Sequence, residues 1–371
     1  MAFVRRTLLI ALVIIAAALA LAAYAAVDRF ELALPGKVFS FPEDHASHPS
    51  FQTEWWYHTG HLKTKEGRSF GFEITFFRRR TDSGALSTDP SSWSAKHLYL
   101  AHFAVTDETA RRFRYAEKIN RPGLGVAGAD ELRYHVWNED WLVERLGGVF
   151  HLKASMEGYA VNLILTPEKP PVIHGVPGEG MHRKGPGKGN ASHYYSMTRL
   201  RTEGFLTLEG RALEVSGHTW MDHEFGSNQL RPEVAGWDWF SMQLDDGTDL
   251  MVYHLRRKDG GIDPYSTGSV VGADGSSRHL PFGSFTIAAT GSWTSPQSAA
   301  RYPMGWRVEV PSEKLAVTLE PALEDQELVT KASTRVTYWE GSVRIRGTKA
   351  GKPISGLGYV EMVGYAKPIE L

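Results

Sequence analysis

From residue 51 onward, apolar and polar side chains alternate in short runs, with Gly, Pro, Asn and Asp collected between them. A period of two predicts strands whose two faces meet different surroundings. Residues 51–62 and 70–77 bracket a turn at Glu66-Gly67 and predict an aromatic hairpin ending in Arg78-Arg79-Arg80. Further strands are expected at 96–107, 131–137, 139–144, 148–156 and 160–167, and again at 194–199, 204–208 and 248–257. Short runs of the same kind continue from Ser266 to Val363. Residues 121–129 are Gly-rich and read as a loop. Residues 169–190 form the longest turn-rich stretch and read as a lid or rim loop. Within it, Lys188 is followed by Gly189 where a phosphate loop needs Ser or Thr. Nothing past the first thirty residues keeps a helical period for three turns, and 323–331 comes nearest. Many short strands at roughly 8–12-residue spacing predict an all-β chain of barrel or sandwich architecture.

One internal echo divides that architecture. Asp44-His45, Trp55-Trp56-Tyr57, Leu62, a turn at Gly67 and Arg78-Arg79 are answered in the same order by Asp222-His223, Trp237-Asp238-Trp239, Leu244, Gly247 and Arg256-Arg257. Trp55 to Leu62 and Trp237 to Leu244 have the same spacing. The repetition predicts two tandem β domains, 35–210 and 211–371, each long enough to bury its own core. Ahead of them, Arg5-Arg6 precede the apolar run Leu8 to Ala26, with small residues at Ala23 and Ala25. Residues 1–27 therefore read as a cleavable signal peptide or an inner-membrane anchor, which would place the body in the periplasm or outside the cell.

Composition removes several classes of function. The chain of 371 residues carries 41 basic and 42 acidic side chains. That balance gives no electrostatic reason to expect nucleic acid as a partner. It has no cysteine, so disulfides, thiolate metal sites and Cys nucleophiles are excluded. His58 and His61 fall on opposite faces of one strand, as do His45 and His48 if their segment is extended, so neither pair predicts a metal site. No cofactor and no metal are expected.

The chemistry concentrates between Gly217 and Phe240. On a strand, His218, Trp220, Asp222 and Glu224 share one face, a set that suits a cavity lining, where an aromatic face meets an apolar ligand and a carboxylate or imidazole handles a proton. The same segment also reads as a Trp-anchored hairpin whose polar groups satisfy one another. Asp238 points to the opposite side of its strand from Trp237 and Trp239. If that side is the cavity, apolar walls would raise its pKa and let it donate a proton. Glu54 beside Trp55 and Trp56 reads either as one of a carboxylate pair or as a buried carboxylate bonded to an indole or an Arg. No Gly-x-Ser-x-Gly is present, and Ser216 is a poor nucleophile candidate.

The segments Asp44-His45, His48-Pro49, Thr53-Glu54-Trp55-Trp56-Tyr57, Phe76-Phe77-Arg78, Ala101-His102-Phe103, Trp220 to Gly226, Gly236 to Phe240 and Tyr338-Trp339-Glu340-Gly341 together resemble the AttH/CrtC lipocalin-like family. Its members include carotenoid 1,2-hydratases and proteins labelled secreted hydrolases. The resemblance implies two lipocalin-like (calycin) β-barrel or sandwich domains holding ligand in or between them. It also implies a His-x-Trp and Tyr-x-Asp acid–base set, onto which His218, Trp220 and Asp238 fall, with Gly236 where the Tyr would stand. Secreted relatives are linked to ABC-type export systems.

The expected protein thus binds an apolar lipid or polyene. Asp238, His218 and Trp220 would be catalytic, and Glu54, Trp55, Trp56, Tyr57, Asp222, Glu224, Trp237 and Trp239 would bind ligand. The enzyme reading is a hydratase, lyase or isomerase. The alternatives are an accessory protein of an ABC-type lipid or lipoprotein export complex and a secreted hydrolase.

Overall fold

A computed structural model describes residues 30–81 and 96–369. The proposed leader and the end of the chain lie outside these residues. The described part is nearly all strand and forms two large antiparallel sheets. One is nearly closed into a barrel and the other is a half-barrel, which gives two lipocalin-like domains. Among the described residues no helix is long and apolar enough to cross a membrane.

The predicted first hairpin is present as Thr53–Thr64 and Ser69–Arg80, and its later echo as Val234–Leu244 and Asp249–Arg257. Both turns rest on a glycine with positive φ, +88° at Gly67 and +82° at Gly247, a conformation that other residues adopt only under strain. The alternation read from sequence decides what each hairpin buries. Trp56, Phe70, Phe72 and Ile74 fill the first barrel, and Phe240, Met242, Leu250 and Val252 fill the second shell. Tyr57, Trp220, Trp239 and Tyr253 point the other way and form a third apolar cluster where the sheets meet.

Sheet membership differs from the expected division at residue 210. Arg211–Gly226 pairs with Ala191–Leu208 on one side and Thr53–Thr64 on the other, so it belongs to the first sheet. The chain changes sheets only between Gly226 and Val234. The echo located the second hairpin correctly but not the strand before it, because long-range pairing with Thr53–Thr64 is invisible in a local pattern. Elsewhere, Arg112–Asn120 is a strand that the alternation did not reveal. The segment 121–129 ends in a short strand, Ala127–Ala129, and 323–331 holds the strand Glu327–Val329 with no helix.

The two shells are fastened by polar contacts as well as packing. His61 Nε2 is 3.0 Å from the Gly358 carbonyl, Thr106 donates to Gln326 at 2.7 Å, and Lys169 meets Asp249 at 2.6 Å. At Gly71 a side-chain carbon would lie 2.5 Å from the Tyr359 hydroxyl, so only glycine lets the second sheet come this close.

Candidate active site between the two sheets

A cavity of about 460 Å³ lies at the junction of the sheets, with walls that are mainly apolar. Trp55, Tyr57 and Tyr194 come from the first domain, and Trp237, Trp239 and Tyr253 from the second. Tyr57 meets Trp239 edge-on at 5.3 Å, so equivalent positions of the two echoed hairpins face each other. The loop 169–190 contributes His182 and Lys184 to the lining, which gives it the rim position expected of it.

Carboxyl groups without cations set the chemistry of this wall. Asp222 is buried and accepts bonds from Tyr194 Oη (2.7 Å), Trp220 Nε1 (2.7 Å) and the Ser196 hydroxyl. Burial nevertheless pushes its pKa up to about 7, with Glu224 adding to the rise. Glu340 and Glu361 stand directly opposite each other on the paired strands Thr337–Lys349 and Lys352–Val363. Two carboxylates so placed cannot both ionise readily. Glu361 accepts a bond from Trp237 Nε1 at 2.7 Å, and burial raises it to about 7. Burial and the facing Glu361 hold Glu340 well above the carboxylate range. Tyr57 donates to its Oε1 at 2.8 Å, while its Oε2 is buried with no protein partner. Glu224, by contrast, is bonded to Lys184, which also reaches Gln229 at 2.9 Å.

Of the expected ligand-binding residues, all but Trp56 line this cavity. Trp56 lies inside the first barrel, stacked 5.0 Å from His223. The expected catalytic trio is not assembled there. Asp238 takes the opposite side of its strand from the two tryptophans, as anticipated, but the tryptophan side is the cavity side. Asp238 instead sits in the second shell, 2.9 Å from Arg256 Nε and 3.0 Å from Tyr365 Oη. Burial raises its pKa against the opposing pull of Arg256. His218 shares the face of Trp220 and Asp222, but it lies further along the strand, outside the cavity lining. Its side chain is half-exposed and 3.3 Å from Glu168. Trp220 remains at the site as a donor to Asp222. Ser216 is exposed, away from the cavity.

Glu340 and Glu361 were not singled out as site residues, although a carboxylate inside an apolar strand is the signal that marks each of them. What sequence could not show is that they face each other.

A second polar cluster closes one end of the first barrel. Glu54 is fully buried, 3.0 Å from Arg78 Nε, 2.8 Å from His223 Nε2 and 3.1 Å from His48 Nδ1. Burial opposes its charge, yet the bonds from His223 and His48 and the Arg78 charge hold its pKa well below the usual range. The ligand-type atoms of His48, Glu54 and His223 all lie within 4.8 Å of one another. However, His48 Nε2 is 3.1 Å from Asp44, His223 Nδ1 is 3.1 Å from Tyr195 Oη, and a guanidinium shares the carboxylate. The cluster satisfies itself, and a cation there would compete with Arg78.

A fold of paired barrel-like sheets around a carboxyl-lined apolar cavity is a lipocalin-like architecture. The AttH-like family model matches residues 32–365, and the chain belongs to that family. It is 34% identical to an AttH protein from Nitrosomonas europaea whose crystal structure superposes with a TM-score of 0.81, covering 90% of this chain and 99% of that one. Kievitone hydratase from Fusarium solani subsp. phaseoli is 24% identical over 190 residues, 50% of this chain and 52% of that protein. The chain therefore spans about half the length of this curated relative. The crystal structure of kievitone hydratase from Nectria haematococca has the same fold, with a TM-score of 0.69 at 15% identity over 91% of this chain and 97% of that one.

Proposed function

We propose that the inter-domain cavity takes up an apolar lipid or polyene and that the chain adds water to, or removes it from, a carbon–carbon double bond held there. The observation that carries this reading is the Glu340–Glu361 pair, two carboxyls opposed on a wall of aromatic rings, neither in an ion pair among the described residues. In the hydration direction, Glu340 Oε2 gives its proton to one alkene carbon while Trp and Tyr faces shield the developing cation. A water attacks the other carbon and loses a proton to Glu361. The proton then returns from Glu361 to Glu340, so both carboxyls are restored and one water is consumed. Hydration is also the activity in the name of the kievitone hydratase relative. His218 and Asp238 have no part in this step.

The leader expected at residues 1–27 supports an extracytoplasmic location for the body, and fractionation of cells expressing the full chain tests it. Two measurements test the reaction. Titration with cis-parinaric acid, a fluorescent polyene, is expected to report binding that weakens in Trp237→Ala. Incubation with an apolar cell extract in H2(18)O is expected to label a product with wild type and not with Glu340→Gln, which keeps its cis-parinaric acid affinity. Binding without label would refute the enzyme and favour a carrier serving an export system. Absence of binding would refute both.

A further inference from the structure

Once an apolar ligand fills the cavity, Asp222 loses direct exchange with bulk water, so its proton must pass through the protein wall. Hydrogen-bonded side chains lead outward from Asp222 as far as Ser269, with His279 beside the last of them. Ser196 Oγ bonds Asp222 Oδ1 and lies 2.6 Å from His174 Nε2. The other nitrogen, His174 Nδ1, is 2.9 Å from Ser269 Oγ. Ser196, His174 and Ser269 are all buried. On the next strand His279 stands directly opposite Ser269, half-exposed to solvent, with its Nδ1 buried and lacking a protein partner. Directly opposed residues of an antiparallel pair point to the same face with Cβ atoms about 4.5–5.5 Å apart. The order is not that of a serine nucleophile, because Ser196 stands between the imidazole and the acid.

We propose that Ser196, His174, Ser269 and His279 form a proton relay between the cavity carboxyl of Asp222 and bulk solvent, a route that sets the charge beside the Glu340–Glu361 pair and rests on the acid–base reading given above. With Asp222 ionised, Ser196 donates to Asp222, His174 Nε2–H donates to Ser196, and Ser269 donates to His174 Nδ1. A proton taken from solvent by His279 passes to Ser269 Oγ, and Ser269 gives its own proton to His174 Nδ1. The Nε2 proton moves to Ser196, whose hydroxyl proton moves to Asp222. Each intermediate residue gains one proton and loses one, and His174 is neutral before and after, passing from the Nε2–H to the Nδ1–H tautomer. Its surroundings favour that neutral state. The Tyr194 ring packs 4.3 Å from the His174 ring, His182 lies 6.4 Å away, and among the described residues no carboxylate pairs with the imidazole. Burial holds His174 down at about 3.

The test reads Asp222 directly in the full chain, through the infrared C=O band that Asp222→Asn removes. After a pH jump, Ser196→Ala and His174→Gln are each expected to slow the change of this band by on the order of tenfold. His279→Ala is expected to slow it less and to recover on addition of imidazole. Rates equal to wild type in both Ser196→Ala and His174→Gln would overturn the relay. So would an Asp222 band that responds to His279→Ala with no recovery in imidazole. Loss of water-derived label in the wild type would instead count against the hydration reading, because the infrared measurement needs no substrate.

Discussion

The molecule buries carboxyl groups in two ways. At the end of the first barrel, Glu54 is enclosed with Arg78, His48 and His223 and stays ionised. At the junction of the sheets, Glu340 and Glu361 are enclosed with Trp237, Tyr57 and each other, and are driven toward the protonated form. Both sets lie in strands of the same kind. A cation beside the acid makes a structural pin, and its absence leaves a group that can give and take protons near neutrality.

The largest effect that sharpens this contrast is expected at the pin. Arg78→Met strands a buried carboxylate and should lower unfolding free energy by about 3–5 kcal/mol in urea titrations. A loss under about 1 kcal/mol would show that the histidines alone hold Glu54. Glu340→Gln removes a protonated acid of the same shape. It should cost about 10²–10⁴-fold in the rate of (18)O incorporation, with the urea midpoint close to wild type.

The two sets should also respond to pH with opposite signs. The folded-state pKa values of Glu340 and Glu361 lie above their unfolded ones, so the native state holds more protons than the unfolded state from about pH 4.3 upward. Their contribution is complete below that pH; that of Glu361 is lost as pH rises through about 7, and that of Glu340 as pH rises through its own elevated value. Glu361→Gln should flatten this part of the stability profile. Glu54 is depressed, so its contribution is present above about pH 4.3 and is lost on acidification. A Glu361→Gln profile identical to wild type between pH 5 and 8 would break the distinction. The smallest effect is expected for His218→Ala, about 0.5 kcal/mol or less for a half-exposed pair, with cis-parinaric acid affinity unchanged.

Strand parity made much of this legible in advance. It placed Trp220, Asp222 and Glu224 on one face and Asp238 opposite Trp237 and Trp239, and the structure follows both assignments. Parity says which residues share a side, not which side meets the other domain. For that reason Asp238 was correctly set apart from its tryptophans and still assigned to the wrong compartment. His218 shows a second limit: burial along the strand Arg211–Gly226 falls toward its start, so residues on one face meet cavity at one end and solvent at the other. Glu340 and Glu361 illustrate a third, since their opposition depends on strand pairing, which a local pattern does not encode.

The rim loop carries one further consequence. Lys169 at its start is tied to Asp249 of the second sheet, and Lys184 within it to Glu224 of the first. A lip tethered to both shells cannot swing aside as a free flap. Opening at this edge requires two buried ion pairs to part, so mobility of the lip should track the strength of those tethers.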